Sequence, residues 1–151
     1  MIHLNNYGWN DKLSQLKQKS TYNALTHGRI SIVHRTCYEV VSENGLFQCE
    51  LTGNMMYGKS DFELPCTGDW VLFQPFDEHK GIIVDMLPRE RTLYRKKNGT
   101  VADKQVIASY VDKAFIVQSL DDNFNVRRAE RFMVQMQEEN INPVLVFNKT
   151  D

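Results

Sequence analysis

Hydrophobic and polar positions change their spacing three times along the chain. Across residues 10–19, Leu13 and Leu16 fall on one face at a spacing of three, behind Asn10 and Asp11, either of which can cap a helix. A short amphipathic helix with a packing role is expected there. From Gly28 the pattern becomes runs of β-branched and aromatic residues cut by turn signals. Ile30, Ile32 and Val33 open a run that continues through Tyr38, Val40 and Val41 to the turn Glu43-Asn44-Gly45. Residues 46–51 then alternate Phe47, Cys49 and Leu51 against Gln48 and Glu50, as the return strand of a hairpin does. Residues 70–73 and 81–87 supply two more strands, and a fifth is placed around residues 55–57. Short strands with turns and no long helix between them predict a mostly β unit, a five-stranded OB-type barrel over residues 28–88.

After Pro88 the apolar pattern lapses. Residues 89–104 carry Arg89, Arg91, Arg95, Lys96, Lys97 and Lys104 against only Glu90 and Asp103, and contain Asn98-Gly99. This stretch is expected to be a basic linker. Beyond it, Ala114-Phe115-Ile116-Val117 is a continuous apolar run of the kind buried on both faces of a parallel sheet. Asn123 or Asn125 can cap a helix through Glu139 whose stripe is Val126, Ala129, Phe132, Met133 and Met136. Val144-Leu145-Val146-Phe147 follows as a second apolar strand. Strand, helix, strand is one βαβ unit. Alone it leaves a sheet face and a sheet edge uncovered, so residues 105–151 read as the incomplete start of an α/β domain. The expected organisation is a lead-in over 1–27, a barrel over 28–88, a linker over 89–104 and this unit.

Composition narrows the possibilities. Of 151 residues, 42% are hydrophobic and 25% charged, the balance of an ordinary globular chain. No run approaches the roughly 18 apolar residues that cross a bilayer, and the N-terminus has no signal-like pattern, so no membrane role is expected. Cys37, Cys49 and Cys66 form no CxxC pair, which fits a reduced, cytoplasmic compartment. Eighteen basic residues against 19 acidic ones give a net charge of −1. Nucleic-acid binding would therefore have to come from a local patch.

Two strings look like nucleotide motifs. Gly53-Asn54-Met55-Met56-Tyr57-Gly58-Lys59-Ser60 matches the phosphate-loop pattern GxxxxGK[ST]. That loop works at the N-terminus of a helix beginning at the Lys, and Pro65 and Gly68 leave no room for one. A barrel loop is expected instead. Asn148-Lys149-Thr150-Asp151 has the form NKxD and directly follows an apolar strand, where α/β proteins bind ligands. Asp151 can accept from N1–H and the exocyclic amine of guanine, a pattern adenine does not offer. Lys149 can lay its stem along the base, and Asn148 can hold the loop and reach the ring edge. For RNA, the barrel offers Arg29, Arg35 and Lys59 with Tyr57 and Phe73 for stacking, joined by Arg89, Arg91, Arg95, Lys96 and Lys97.

Taken together, Tyr7-Gly8-Trp9, Gly68-Asp69-Trp70-Val71, Leu87-Pro88-Arg89, Lys104-Gln105-Val106-Ile107-Ala108-Ser109-Tyr110-Val111-Asp112, Phe124-Asn125-Val126-Arg127-Arg128-Ala129-Glu130-Arg131 and the closing Asn148-Lys149-Thr150-Asp151 resemble the ribosome-small-subunit-dependent GTPases of the RsgA type. The resemblance implies an OB domain that contacts rRNA, followed by a circularly permuted GTPase domain in which NKxD precedes the phosphate loop. It implies a cytoplasmic GTP hydrolase, expected to be a monomer, that acts on the small ribosomal subunit late in its assembly. It also implies GTP and GDP as ligands with magnesium, and zinc in a C-terminal tail. On that pattern the phosphate loop, switch segments and zinc site lie beyond Asp151. No catalytic or metal-binding residue is assigned within the chain, which is expected not to hydrolyse GTP alone. The competing readings are a stand-alone OB-fold RNA-binding module and a P-loop NTPase using residues 53–60.

Overall fold

A computed structural model describes residues 1–96 and 104–150, without the side chain of Lys96. A 3-10 turn over Leu4–Tyr7 leads into helix α1 (Asp11–Lys19), whose N-cap Asn10 accepts a hydrogen bond from the Leu13 backbone N–H at 3.0 Å. Five strands follow: β1 (Thr26–Val33), β2 (Tyr38–Ser42), β3 (Gly45–Leu51), β4 (Trp70–Asp77) and β5 (Lys80–Met86). They close into a barrel in the order β1-β2-β3-β5-β4, with β4 returning to β1. All pairings are antiparallel except β3 with β5, which is parallel and brings residues 48–51 beside 80–83. This is the expected OB-type barrel.

The fifth strand is not where the sequence places it. The run from Ile30 to Val41 is two strands, broken at residues 34–37, where the His34 N–H donates to the Cys37 carbonyl at 2.8 Å. Around residue 55 stands a single helical turn, α2 (Gly53–Met56). The turn directs Met55 into the end of the barrel and leaves Met56 in solvent. Burying a methionine side chain stabilises by about 1.5–3 kcal/mol, enough to override a weak local strand preference.

The barrel has apolar layers on both sides of its wall. Inside, Ile30, Val40, Phe47, Cys49, Val71, Phe73 and Ile83 pack around Met55. Outside, Val41, Trp70, Leu72 and Leu87 are covered by Leu4 and Leu13, with Trp9 stacked on His27 at 4.0 Å and edge-on to Trp70 at 5.0 Å. The N-terminal helix thus supplies the outer cover.

Residues 89–104, expected as a linker, carry regular structure. Strand β6 (Leu93–Lys96) pairs antiparallel with β7 (Lys104–Ala108). Asn98-Gly99, Lys97 and Asp103 lie outside the described residues. Strand β8 (Lys113–Ser119), helix α3 (Val126–Glu138) and strand β9 (Asn142–Asn148) then form the expected βαβ unit, with β8 and β9 parallel from Lys113 opposite Asn142 to Ser119 opposite Asn148. Asn125 caps α3, accepting from the Arg128 N–H at 3.1 Å.

Burial in this unit departs from expectation. Strand β8 alternates, with Ala114, Ile116 and Gln118 buried while Phe115 and Val117 are 66% and 62% exposed. Helix α3 covers one face only, using Ala129, Met136 and in part Met133, whereas Val126 and Phe132 of its apolar stripe stay exposed. The open sheet face is the one that two strands and one helix were expected to leave.

Candidate nucleotide and nucleic-acid interface

The NKxD string sits at the carboxyl end of β9, beside the carboxyl end of β8. The Asn148 carbonyl accepts from the Leu120 N–H at 3.0 Å, which ties the two strand ends together. The Asn148 side-chain oxygen accepts from the Lys149 N–H at 2.8 Å and holds Lys149 at a φ of +54°. That is an unusual backbone for lysine, and it turns the side chain back toward the loop after β8. There the Lys149 ammonium lies 3.3 Å from Asp121. Hydrogen bonds from the Ser119 hydroxyl and the Asn123 N–H hold the Asp121 carboxyl below its ordinary range, with the Lys149 contact adding to them. Phe124 and Phe147 close the far side with rings 5.9 Å apart. Asp151 lies outside the described residues.

Sequence reasoning passed over Asp121 and Ser119. The signal was available, since Asp121-Asp122-Asn123 is a polar run shortly after the first apolar strand, as NKxD is after the second. Ligands of α/β sheets collect at the carboxyl ends of adjacent strands, so both loops belong to one site.

The residues 53–60 do not make a phosphate cradle. No helix begins at Lys59, Gly58 has a φ of +73°, and the Ser60 N–H and hydroxyl both donate to Glu63. The loop is the barrel connection expected from Pro65 and Gly68.

The basic residues offered for RNA differ in how free the structure leaves them. Arg29 and Arg89 are structural, which corrects their placement on an RNA-facing surface. Arg29 donates to the carbonyls of Gly68, Tyr7 and Tyr110, and its guanidinium lies over Trp70. Arg89 grips the fully buried Asp69 with Nε at 2.9 Å and Nη2 at 2.7 Å, and also donates to the carbonyls of Phe62 and Leu64. Asp69 accepts further from the Ser109 hydroxyl and from the Cys66 N–H at 2.8 Å. The network joins the barrel to the chain leading into β8. Gly68 is required at this joint, because a Cβ there would meet the Ser109 carbonyl oxygen at 2.2 Å.

Arg91 is half-committed, pairing with Glu90 at 3.1 Å and Asp112 at 3.5 Å. Arg35, in the turn after β1, and Lys59 are exposed. Arg95 projects from β6 and donates to the Gln105 side chain at 2.9–3.0 Å, Lys96 ends that strand, and Lys97 lies outside the described residues. Of the two stacking rings, Tyr57 is 85% exposed, whereas Phe73 is wholly buried inside the barrel and is no RNA contact. Among the described residues, no three His, Cys, Asp or Glu side chains come together as a metal site. Among the described residues no helix is long and apolar enough to cross a membrane.

Residues 86–151 match the RsgA GTPase family model. Over 149 residues the chain is 70% identical to the small ribosomal subunit biogenesis GTPase RsgA 1 of Bacteroides thetaiotaomicron, covering 99% of this chain and 42% of that one. The chain belongs to the RsgA family. An RsgA 1 of Oceanobacillus iheyensis is 33% identical, over 92% of this chain and 42% of its own. The fold matches the crystal structures of YloQ, a circularly permuted GTPase, with a TM-score of 0.58 at 22% identity, and of YjeQ from Thermotoga maritima, with 0.59 at 21%. These superpositions cover 87% and 83% of this chain, and 43% and 42% of those chains. The chain spans about two fifths of the RsgA relatives it matches.

Proposed function

We propose that this chain supplies the ribosome-contacting barrel and the guanine-reading loop of a cytoplasmic, monomeric GTPase that acts in late assembly of the small ribosomal subunit. The observation that carries this reading is the loop at the end of β9, where an NKxD string at a parallel strand's carboxyl end is stiffened by the Asn148–Lys149 hydrogen bond and the Lys149–Asp121 ion pair. Asn148 and Lys149 support the base, and Asp151 reads the N1 and 2-amino positions of guanine. Binding adenine would leave Asp151 mispaired, at a cost of about 1–3 kcal/mol. Arg35, Lys59, Arg91, Arg95, Lys96 and Lys97 form the basic surface for rRNA phosphates, with Tyr57 as a stacking ring.

On the family resemblance, the nucleotide phosphates, magnesium and zinc would be held by residues other than these 151. Positioning and electrostatics at the phosphates supply nearly all phosphoryl-transfer catalysis, so the 151 residues alone are expected not to turn GTP over. In this reading residues 1–27 are the lead-in, 28–88 the barrel that meets rRNA, and 105–151 the start of the GTPase unit.

The deciding experiment changes Asp151→Asn in the full gene product and compares turnover of GTP and xanthosine triphosphate on purified small subunits. Asparagine presents a donor where xanthine has a carbonyl and guanine an amine. Preference should switch from guanine to xanthine. Unchanged preference for GTP overturns the reading.

A further inference from the structure

A further basic surface of the described molecule lies outside the barrel. It lies between the β6–β7 hairpin and helix α3, in an open groove of about 550 Å³ lined by Tyr94, Arg95, Arg128, Arg131, Phe132 and Gln135. It adjoins a second depression of about 580 Å³ beside Arg127. The Gln135 side chain donates to the Tyr94 carbonyl at 2.5 Å and fixes the hairpin against the helix, so the groove is a built shape.

Three arginines crowd the first half of α3. Arg127 and Arg131 stand one turn apart, with Arg128 beside them, and all three are exposed. None of their guanidinium groups has a hydrogen-bond or ion-pair partner among the described residues. The first turn holds no acidic residue, although the helix dipole favours carboxylates there and disfavours cations. Like charges one turn apart repel as well. Folding alone gives no reason for this arrangement, and Glu130 and Glu138 are the carboxylates that line the two depressions. On a chain with net charge −1, such a cluster marks an anionic partner.

Two rings line the groove, one exposed and one half-buried. Phe132 is 40% exposed on α3, and the Tyr94 ring on β6 lies 4.4 Å from the Lys104 ammonium. Guanidinium forks match phosphate oxygens bidentately, and aromatic faces stack on unpaired bases. We infer that the groove between α3 and the β6–β7 hairpin binds single-stranded RNA, with Arg127, Arg128 and Arg131 on successive phosphates and Phe132 or Tyr94 against a base. The inference rests on the rRNA reading above and adds a second RNA surface, on the α/β unit. Because α3 starts from the loop that carries Asp121, RNA bound there would lie close to the guanine-reading loop.

The test measures binding of the 151-residue chain to a fluorescein-labelled 20-nucleotide oligouridylate between 50 and 200 mM salt. The triple variant Arg127→Ala, Arg128→Ala, Arg131→Ala should flatten the log–log salt slope by about 2 units, at about 0.7 per phosphate on a single strand. Over that salt range the wild type should then lose affinity about 20-fold further than the variant. The triple Arg→Lys variant, which keeps the charge, should retain most of the slope. Equal slopes for wild type and the alanine variant overturn the proposal. Should the alanine variant fail to fold, protection of the three arginines from a guanidine-specific reagent by the oligonucleotide gives the answer, and absence of protection overturns it. A polyglutamate of matched charge that competes as well as RNA also overturns it, in favour of an acidic protein segment. If Arg35→Ala with Lys59→Ala abolishes binding while the α3 variant behaves as wild type, this proposal fails and the barrel reading stands. If neither variant changes binding, both fail.

Discussion

The barrel and the βαβ unit bury their apolar residues to different degrees. Barrel strands are covered on both sides, by the shared interior and by α1 with the N-terminal turn, so adjacent residues such as Trp70, Val71, Leu72 and Phe73 are all within 1% of full burial. Strand β8 is just as apolar over residues 114–117, yet every second side chain faces water. An apolar run reports how much surface a strand is suited to bury. It does not say which element provides the cover, nor whether that element lies within the same residues.

Four measurements sharpen or break this contrast. The largest effect is expected at the polar joint between the two regions. Asp69→Ala leaves Arg89 buried without its carboxylate and should cost about 3–5 kcal/mol in a urea unfolding curve. A loss below 1 kcal/mol would mean the joint is wetter than the structure shows. Next, Ile83→Ala inside the barrel should cost about 2–5 kcal/mol, whereas Phe115→Ala on the open sheet face should stay within about 0.5 kcal/mol. Comparable losses at both positions would show that Phe115 is covered in solution, and the contrast would collapse.

Protonation gives a smaller effect confined to the barrel's outer layer. Burial, then the nearby Lys17 ammonium, lowers the His27 pKa from its ordinary 6.5. The unfolded chain therefore binds this proton first. Stability should be unaffected well above pH 6.5 and fall as pH drops below it, and His27→Phe should reduce that fall. A pH profile unchanged by the substitution would remove His27 as its source. The smallest test is chemical. Burial pushes the Cys49 and Cys66 thiols up to about 12, so only Cys37 should react promptly with a disulfide reagent at pH 8, and all three after unfolding. Prompt reaction of two thiols would place an opening in the barrel wall.

Much of the fold was legible because local signals and burial agree. Glu43-Asn44-Gly45 turns the β2–β3 hairpin, Asn10 and Asn125 cap their helices, and Pro65 with Gly68 excludes a helix after Lys59. The misplacements share a cause, which is tertiary contact. Residues 34–37 contain neither glycine nor proline, so nothing local marks the break between β1 and β2. Barrel closure imposes it. Met55 becomes helical because the barrel end needs a plug. At the site, the motif after β9 was readable from its position, but Asp121 as the partner of Lys149 depends on β8 and β9 being neighbours. Arg29, Arg89 and Phe73 illustrate the converse. Charge and aromaticity suggested a surface role, but the packed structure ties both arginines to backbone carbonyls, Arg89 also to Asp69, and buries Phe73.

The parallel pairing of β3 with β5 also sets an order of assembly. Residues 48–51 find their partners only at 80–83, across a connection that holds α2 and the whole of β4. A chain emerging from its own synthesis can form the β1–β2–β3 meander early, but it cannot close the cylinder until residues near 86 are free. Mean sequence separation of this kind slows folding into the range of milliseconds to seconds. Until then β3 presents an unpaired edge, with Phe47 and Cys49 uncovered. Changes that lengthen the β4–β5 hairpin should therefore delay closure more than they weaken the finished barrel.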